Sequence, residues 1–192
     1  INPNESQGQL EAVIYNQGLQ LGLSKEVKAF AQQFPDQASE EEYNRRKDLR
    51  HLPFVTIDPN SAQDFDDALY VQPRKSADAQ NGQKKSGWVL WVAIADVAHY
   101  VKENDPIDLE AKLRSATLYL PAQAFPMLPH RLSNDLCSLK PKVDRLAMVA
   151  NIEVNPHGEI EKTRFYEAVI HSQARFTYVE AASLLGILPQ QT

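Results

Sequence analysis

The sequence contains a single cysteine, Cys137, among 192 residues. One thiol cannot form an internal disulfide, so a small disulfide-stabilised domain is excluded and a reducing compartment is indicated. No stretch approaches the roughly eighteen consecutive apolar residues that a membrane-spanning helix needs. Residues 1–5 carry neither a basic flank nor an apolar stretch, so they are not the start of a signal peptide. Together these absences predict a cytoplasmic protein with no membrane partner.

The sequence also lacks an excess of basic residues over acidic ones. Lys and Arg total 20 against 25 Asp and Glu, a formal net charge of -5. Domains that bind nucleic acid on their own usually carry a basic stripe, which releases counterions from the phosphates. Contact with nucleic acid would therefore depend on local basic residues or on domains outside this chain. Four basic residues could follow a phosphate backbone, although ordinary solvated charge is an equally good interpretation of each: Arg131, Lys140, Lys142 and Arg145.

Apolar periodicity and turn signals predict strands at 10–14, 54–57, 68–71, 88–95, 146–154 and 160–170. Capping residues and helical spacing predict helices at 24–34, 39–46, 108–117 and 177–185. The run 88–95 is apolar throughout and is expected to be buried on both faces. The turn 155–158 is typical of a hairpin. This mixture predicts an α/β or α+β fold whose main domain begins near residue 50.

Four carboxylates fall within one short segment between two predicted strands: Asp58, Asp64, Asp66 and Asp67. Like charges this close repel, and a cation would compensate them. Hard oxygen ligands on irregular backbone favour magnesium, manganese or calcium, and the segment lacks the central glycine and terminal glutamate of an EF-hand. The apolar Phe65 within the segment indicates partial burial. From the pattern alone, a metal site and a solvated acidic turn are equally good interpretations.

Longer sequence motifs favour the metal site over the solvated acidic turn. The run TIDPNSAQDFDDALYV at 56–71 resembles the signature of the RNase II/RNase R family, the RNB domain. Further matches follow in the same order: WVAIADVAHYV at 91–101, LYLPAQAFPMLPHRLSNDLCSLKP at 118–141, DRLAM at 144–148 and FYEAVIHSQARFTY at 165–178. The resemblance covers about 48–192, and its details are closer to the bacterial RNase R branch.

The resemblance implies a mixed β-sheet flanked by helices and an enzyme that hydrolyses single-stranded RNA processively from the 3' end, releasing nucleoside 5'-monophosphates. It implies Mg²⁺, with Mn²⁺ as a substitute, and no nucleotide cofactor. Asp58, Asp64, Asp66 and Asp67 correspond to the family's acidic set around the metal, with Asp58 and Asp67 as direct ligands. Asp66 corresponds to the position most critical for cleavage. Tyr119 corresponds to an aromatic that packs against the 3'-terminal nucleotides; without the resemblance, a core tyrosine would be the better interpretation.

The resemblance also implies a division of the chain. Residues 1–20 are expected to be the remnant of a cold-shock (OB) domain, 21–49 a helical connector, and 50–192 the N-terminal portion of the RNB catalytic domain. Later catalytic residues would lie beyond 192, so the chain alone is expected to be weakly active or inactive. Two alternatives stay open: an inert RNA- or protein-binding member of the family, and a domain that uses the metal only for stability.

Three further residues invite a chemical role but are expected to be structural. His99 stands at the end of a predicted buried strand, where a lone histidine is more often structural than catalytic. Asp96 is expected to bind backbone amides in a turn. Cys137 lacks a histidine partner and is expected to be a small buried residue rather than a nucleophile.

Overall fold

The computed structural model describes residues 22–74, 87–120 and 123–187. These residues divide into two compact units, one within 22–35 and 98–132 and the other within 36–97 and 133–187. In chain order the elements are α1 (Lys25–Ala31), α2 (Glu40–Arg45), β1 (Lys47–Asp48), β2 (Val55–Asp58), β3 (Asp67–Pro73), β4 (Trp88–Ala95), α3 (Val97–Tyr100), α4 (Pro106–Arg114), β5 (Leu118–Leu120), β6 (Gln123–Phe125), a π-helical turn (Leu132–Leu136), β7 (Asp144–Val154), β8 (Ile160–His171), β9 (Ala174–Thr177) and α5 (Tyr178–Leu184). The predicted strand at 10–14 lies outside the described residues.

The first unit packs α1 against α4 and contains the β5–β6 hairpin. Both helices begin at a capping side chain, Ser24 for α1 and Asp105 for α4. The Glu110 carboxylate accepts a hydrogen bond from the Ser24 backbone N–H at 3.1 Å, which ties the start of α1 to α4.

The second unit is built on a seven-stranded sheet of order β1-β8-β7-β4-β3-β2-β9. The β1–β8 and β2–β9 pairs are parallel and the others are antiparallel. The prediction of a mixed sheet in an α/β fold is therefore confirmed. Small residues on neighbouring strands form the most buried part of one face: Ala68, Ala93, Val149 and Ala168.

The strand at 88–95 is confirmed, but the prediction that both its faces are buried is wrong. Trp88 is 51% exposed and Ile94 is 47% exposed. β4 pairs antiparallel with both β3 and β7, and antiparallel sheets can leave one face open. Ile94 stands opposite Met148 of β7, which is 41% exposed, so apolar side chains continue across this open face.

The other predicted elements are present with shifted ends. The helix predicted at 24–34 ends at Ala31, and the one predicted at 108–117 is α4, which runs from Pro106 to Arg114. The predicted strands 146–154 and 160–170 are β7 and β8, joined by a turn in which Gly158 has φ +85°. This left-handed conformation favours glycine over residues with a side chain. In the part of the chain that the structure describes, no helix is long and apolar enough to cross a membrane.

Candidate metal centre in the acidic loop

The acidic loop, residues 58–67, joins β2 to β3 at one edge of the sheet. Asp58 is the last residue of β2 and Asp67 is the first of β3. These strands are antiparallel neighbours, so the chain must reverse between them, and Pro59 stops the ladder because it has no N–H to donate. Asp64 and Asp66 lie in the irregular backbone between the strands. The fold therefore returns all four carboxylates to the same edge.

Backbone and side-chain hydrogen bonds anchor the middle of this loop to the segment after the π-helical turn. The Ser138 hydroxyl accepts from the Phe65 N–H at 3.1 Å and donates to the Gln63 carbonyl at 3.2 Å. The Leu139 N–H donates to the Phe65 carbonyl at 2.8 Å. Ser138 and Leu139 are fully buried, so this anchor is protected from competing water.

Arg175, from β9, also contacts the loop. Its Nη2 donates to the Pro59 carbonyl at 2.6 Å, and its guanidinium lies 5.4 Å from the centre of the Phe65 ring. β9 runs parallel to β2 with Arg175 beside Thr56, which explains why a residue so distant in sequence reaches the loop.

The carboxylates lie close enough to perturb one another. Partial burial is the main cause that raises the pKa of Asp58, and the charges of Asp67 and Asp64 add to it, against opposing effects of the nearby Thr56 hydroxyl and the Arg175 charge. Desolvation likewise raises the pKa of Asp66, with further contributions from the other three aspartates: Asp64, Asp67 and Asp58. Asp66 is nevertheless open to solvent on one side. The loop thus carries negative charge that the protein compensates only in part.

The donor set fits a hard divalent cation. Asp58 is 8% exposed, and its Oδ2 has no hydrogen-bond partner among the described residues. A buried carboxylate oxygen without a partner is costly unless a cation or water meets it. Within 22–74, 87–120 and 123–187, no three His, Cys, Asp or Glu side chains are arranged in ligand geometry. Fewer than three protein ligands suffice for Mg²⁺, because this ion keeps several waters and is commonly bound through one or two carboxylates.

Tyr119 lies in the other compact unit. It belongs to β5, stands opposite Ala124 of β6 and is 70% exposed. An exposed aromatic ring can stack on a base of any sequence. The alternative interpretation of Tyr119 as a core residue is wrong, because its side chain is open to solvent.

The expected structural residues have identifiable environments. Cys137 is buried, and desolvation, with the charges of Asp66 and Asp96, raises the pKa of its thiol to about 12. It is therefore a packing residue and not a nucleophile. His99 packs edge-on against Tyr100 at 4.7 Å between ring centroids. Asp96 pairs with a buried side chain: its Oδ2 lies 2.6 Å from Nη2 of Arg46.

Two of the basic residues proposed to follow a nucleic acid are already engaged with Asp135. Arg145 is buried, with Nη2 at 3.1 Å from Asp135 Oδ1, and Lys140 Nζ lies 3.0 Å from the same oxygen. For Arg145, a structural role is therefore the better interpretation.

Sequence reasoning selected the aspartates but gave no role to the residues that anchor them. Ser138 lies within the family-like run 118–141 and Arg175 within the family-like run 165–178. The only sequence signal for a role was this membership, because the contacts join segments that are more than seventy residues apart.

Comparison with known proteins gives a consistent set of matches. The family model described as the RNB domain matches residues 46–191. Ribonuclease R of Escherichia coli (strain K12) is 44% identical over 163 residues, which cover 85% of this chain and 18% of that protein. Ribonuclease R of Buchnera aphidicola subsp. Acyrthosiphon pisum is 42% identical over 157 residues, covering 82% of this chain and 20% of that protein. The chain thus spans about one fifth of the length of these curated relatives.

Two solved structures are also similar. Mycoplasma genitalium RNase R in complex with double-stranded RNA superposes with a TM-score of 0.86 at 34% identity, covering 99% of this chain and 32% of that one. Yeast Ssd1, described as a pseudonuclease, gives a TM-score of 0.76 at 16% identity and covers 98% of this chain and 23% of that one. The second likeness concerns the fold alone.

Proposed function

This chain belongs to the RNB-domain family, and from that premise we propose that it forms part of the catalytic domain of an RNase R-type exoribonuclease. The predicted relation to bacterial RNase R is confirmed by the curated relatives. The observation that carries the proposed activity is the acidic loop, which holds four aspartates against one another at the edge of the sheet.

The proposed substrate is single-stranded RNA, degraded processively from its 3' end to nucleoside 5'-monophosphates. Support comes from Mycoplasma genitalium RNase R, which has been solved with double-stranded RNA and with ribose-methylated single-stranded RNA. The exposed Tyr119 is the proposed stacking residue for the 3'-terminal nucleotides. Stacking suits an enzyme without sequence preference, because every base offers an aromatic face.

Asp58, Asp64, Asp66 and Asp67 are the residues proposed to hold Mg²⁺, or Mn²⁺ in its place. When bound, such an ion neutralises phosphate charge and lowers the pKa of a bound water. Asp66 is the proposed catalytic carboxylate. Its exposure to solvent suits a carboxylate that reaches both the metal and an attacking water. Ser138 and Arg175 hold the loop in place.

The alternative is a catalytically inert member that only binds RNA or protein. The likeness to a pseudonuclease shows that this fold does not by itself imply catalysis. All four aspartates of the family's motif are present in this sequence, which favours the enzyme.

We further propose that the chain is part of a longer protein, with a cold-shock remnant at 1–20, a connector at 21–49 and the N-terminal portion of the RNB domain at 50–192. The segment 1–20 lies outside the described residues. A cytoplasmic location is proposed because the single cysteine suits a reducing compartment.

The activity is tested by incubating 5'-labelled poly(A) with Mg²⁺ and the longer protein that contains this chain. The full-length labelled RNA should disappear and a short labelled 5' remnant should accumulate, with few products of intermediate length. EDTA should stop the reaction, and Mg²⁺ or Mn²⁺ added in excess should restore it, because the carboxylates alone cannot neutralise a phosphate. Cleavage that continues in EDTA would contradict the proposed metal site.

The 192-residue chain by itself is the second arm of this assay. It should release mononucleotides weakly or not at all, because the family's remaining catalytic residues are expected beyond residue 192. Efficient release by the chain alone would show that these residues are not needed.

A further inference from the structure

We infer that Arg175 is a positioning residue for the acidic loop, whose guanidinium joins the two arms of the loop and thereby raises its affinity for a divalent cation. The inference rests on the proposed function, because it concerns the metal site assigned above.

The guanidinium touches the loop at two points that are six positions apart in sequence. One contact is the hydrogen bond from Nη2 to the Pro59 carbonyl, one residue after Asp58. The other is the guanidinium over the Phe65 ring, between Asp64 and Asp66 in sequence. Arg175 therefore links the arm that begins with the first carboxylate to the arm that carries the others.

The backbone of Phe65 is held as well. Its N–H donates to the Ser138 hydroxyl and its carbonyl accepts from the Leu139 N–H, so its backbone cannot shift without breaking both hydrogen bonds. Phe65 is thus a fixed point, and Arg175 connects Pro59 to it. Groups that orient metal ligands without touching the metal commonly contribute strongly to its affinity.

A simpler electrostatic role predicts the opposite effect. The Arg175 charge opposes part of the rise in the pKa of Asp58, so it acts on that carboxylate. If charge were all that mattered, Arg175 would repel an incoming cation, and its removal would strengthen metal binding. If geometry matters more, disruption of the link weakens metal binding even when the charge is kept.

Substitution of Arg175 by lysine distinguishes the electrostatic role from the positioning role. An ammonium group keeps the charge, but it lacks the planar fork that can donate to a carbonyl while it lies over an aromatic ring. The buried Nε of Arg175 has no hydrogen-bond partner among the described residues, so the two contacts above are the ones that Arg175→Lys would disturb.

The experiment titrates Mn²⁺ into the longer protein that contains this chain and follows free Mn²⁺ by its electron paramagnetic resonance signal. Wild type should bind Mn²⁺, and Arg175→Lys should weaken binding by about tenfold or more. Arg175→Gln should also weaken binding, by less, because loss of the charge offsets part of the effect. The matched control is Arg164→Lys, since Arg164 lies in β8 and pairs with Glu153 at 2.8 Å; it should bind as wild type does. Circular dichroism melting without metal gives the folded fraction of each variant.

The outcomes distinguish the proposed metal site from the proposed positioning role of Arg175. Absence of Mn²⁺ binding to the wild type would overturn the proposed metal site itself. Wild-type binding with unchanged or tighter affinity in Arg175→Lys or Arg175→Gln would overturn only the positioning role. If neither Arg175 variant folds, Phe65→Leu removes the ring and keeps an apolar side chain. Weaker Mn²⁺ binding by folded Phe65→Leu would support the inference, and unchanged affinity would overturn it.

Discussion

Arg46 is a charged residue whose side chain is only 1% exposed. Its Nη2 lies 2.6 Å from Asp96 Oδ2, and its Nε lies 2.5 Å from Glu42 Oε1. Asp96 follows β4 directly, and the preceding Ala95 N–H donates to the Asp66 carbonyl at 2.9 Å. The buried pair therefore stabilises the strand end that supports the acidic loop.

Replacement of Asp96 by asparagine should lower the free energy of unfolding by about 3 kcal/mol, because the buried guanidinium of Arg46 then keeps only Glu42 as a charged partner. Urea unfolding of the 192-residue chain at pH 7 measures this loss. The control is Glu167→Gln, which disrupts the pair between Arg45 and Glu167, whose side chains are 52% and 46% exposed. This exposed pair should contribute about 1 kcal/mol or less. Equal losses in the two variants would contradict the assigned importance of burial.

Single residues were predictable where their chemistry is unusual in the sequence. Four aspartates in one short loop predicted a candidate metal site. The absence of a histidine partner for Cys137 predicted a small buried residue rather than a nucleophile. The partners of Asp96 and Phe65 could not be predicted in the same way. Arg46 lies fifty residues before Asp96, and Arg175 lies more than a hundred after Phe65. Such contacts depend on strand order, which no local pattern contains.

Helix α2 is stabilised by the carboxylate of one residue, Glu42. Ser39 caps its start and accepts from the Glu42 N–H at 3.2 Å. The Glu42 carboxylate binds Arg45 and Arg46, with Oε1 at 2.7 Å from Arg45 Nη2. The hydrogen bond from Arg45, with further contributions from Arg46 and against some desolvation, lowers the pKa of Glu42 to about 2.

Acid should therefore weaken this part of the molecule in a defined pH range. A carboxyl whose pKa falls from 4.5 to about 2 on folding stabilises the protein fully above pH 4.5, and the benefit disappears as the pH falls toward 2. Urea unfolding at several pH values should show a shallower decline of stability for Glu42→Gln than for wild type between pH 4.5 and 2. Parallel declines would mean that the pKa of Glu42 is not shifted by folding.

Elements were predicted best where a capping residue or a turn marks them. Ser24 and Ser39 were predicted to cap the first two helices, and the structure confirms both. The helix predicted at 177–185 is capped by Thr177. The start of α4 was missed, although Asp105 followed by Pro106 is a typical helix start. The error in β4 has another cause. A continuous apolar run does not reveal whether both faces are covered, and its neighbours leave Trp88 and Ile94 open.

For the whole molecule, the mixture of strands and helices predicted the fold class. Five sequence motifs that occur in the family's order predicted the family. Net charge was a weaker guide. The value of -5 argues against nucleic-acid binding, yet part of the negative charge belongs to the loop proposed to bind the metal. The relation between distant segments, such as β9 beside β2, appears only in the folded structure. That relation is what brings Arg175 to the acidic loop.

The central claim is that Asp66 belongs to a metal-dependent site that cleaves RNA. The direct test compares wild type with Asp66→Asn in the longer protein, on single-stranded RNA with Mg²⁺, measuring both RNA binding and release of mononucleotides. The substitution keeps the shape of the side chain and removes its charge, so RNA binding should persist while turnover falls at least about a hundredfold. Normal turnover by an Asp66→Asn protein that still binds RNA would contradict the account.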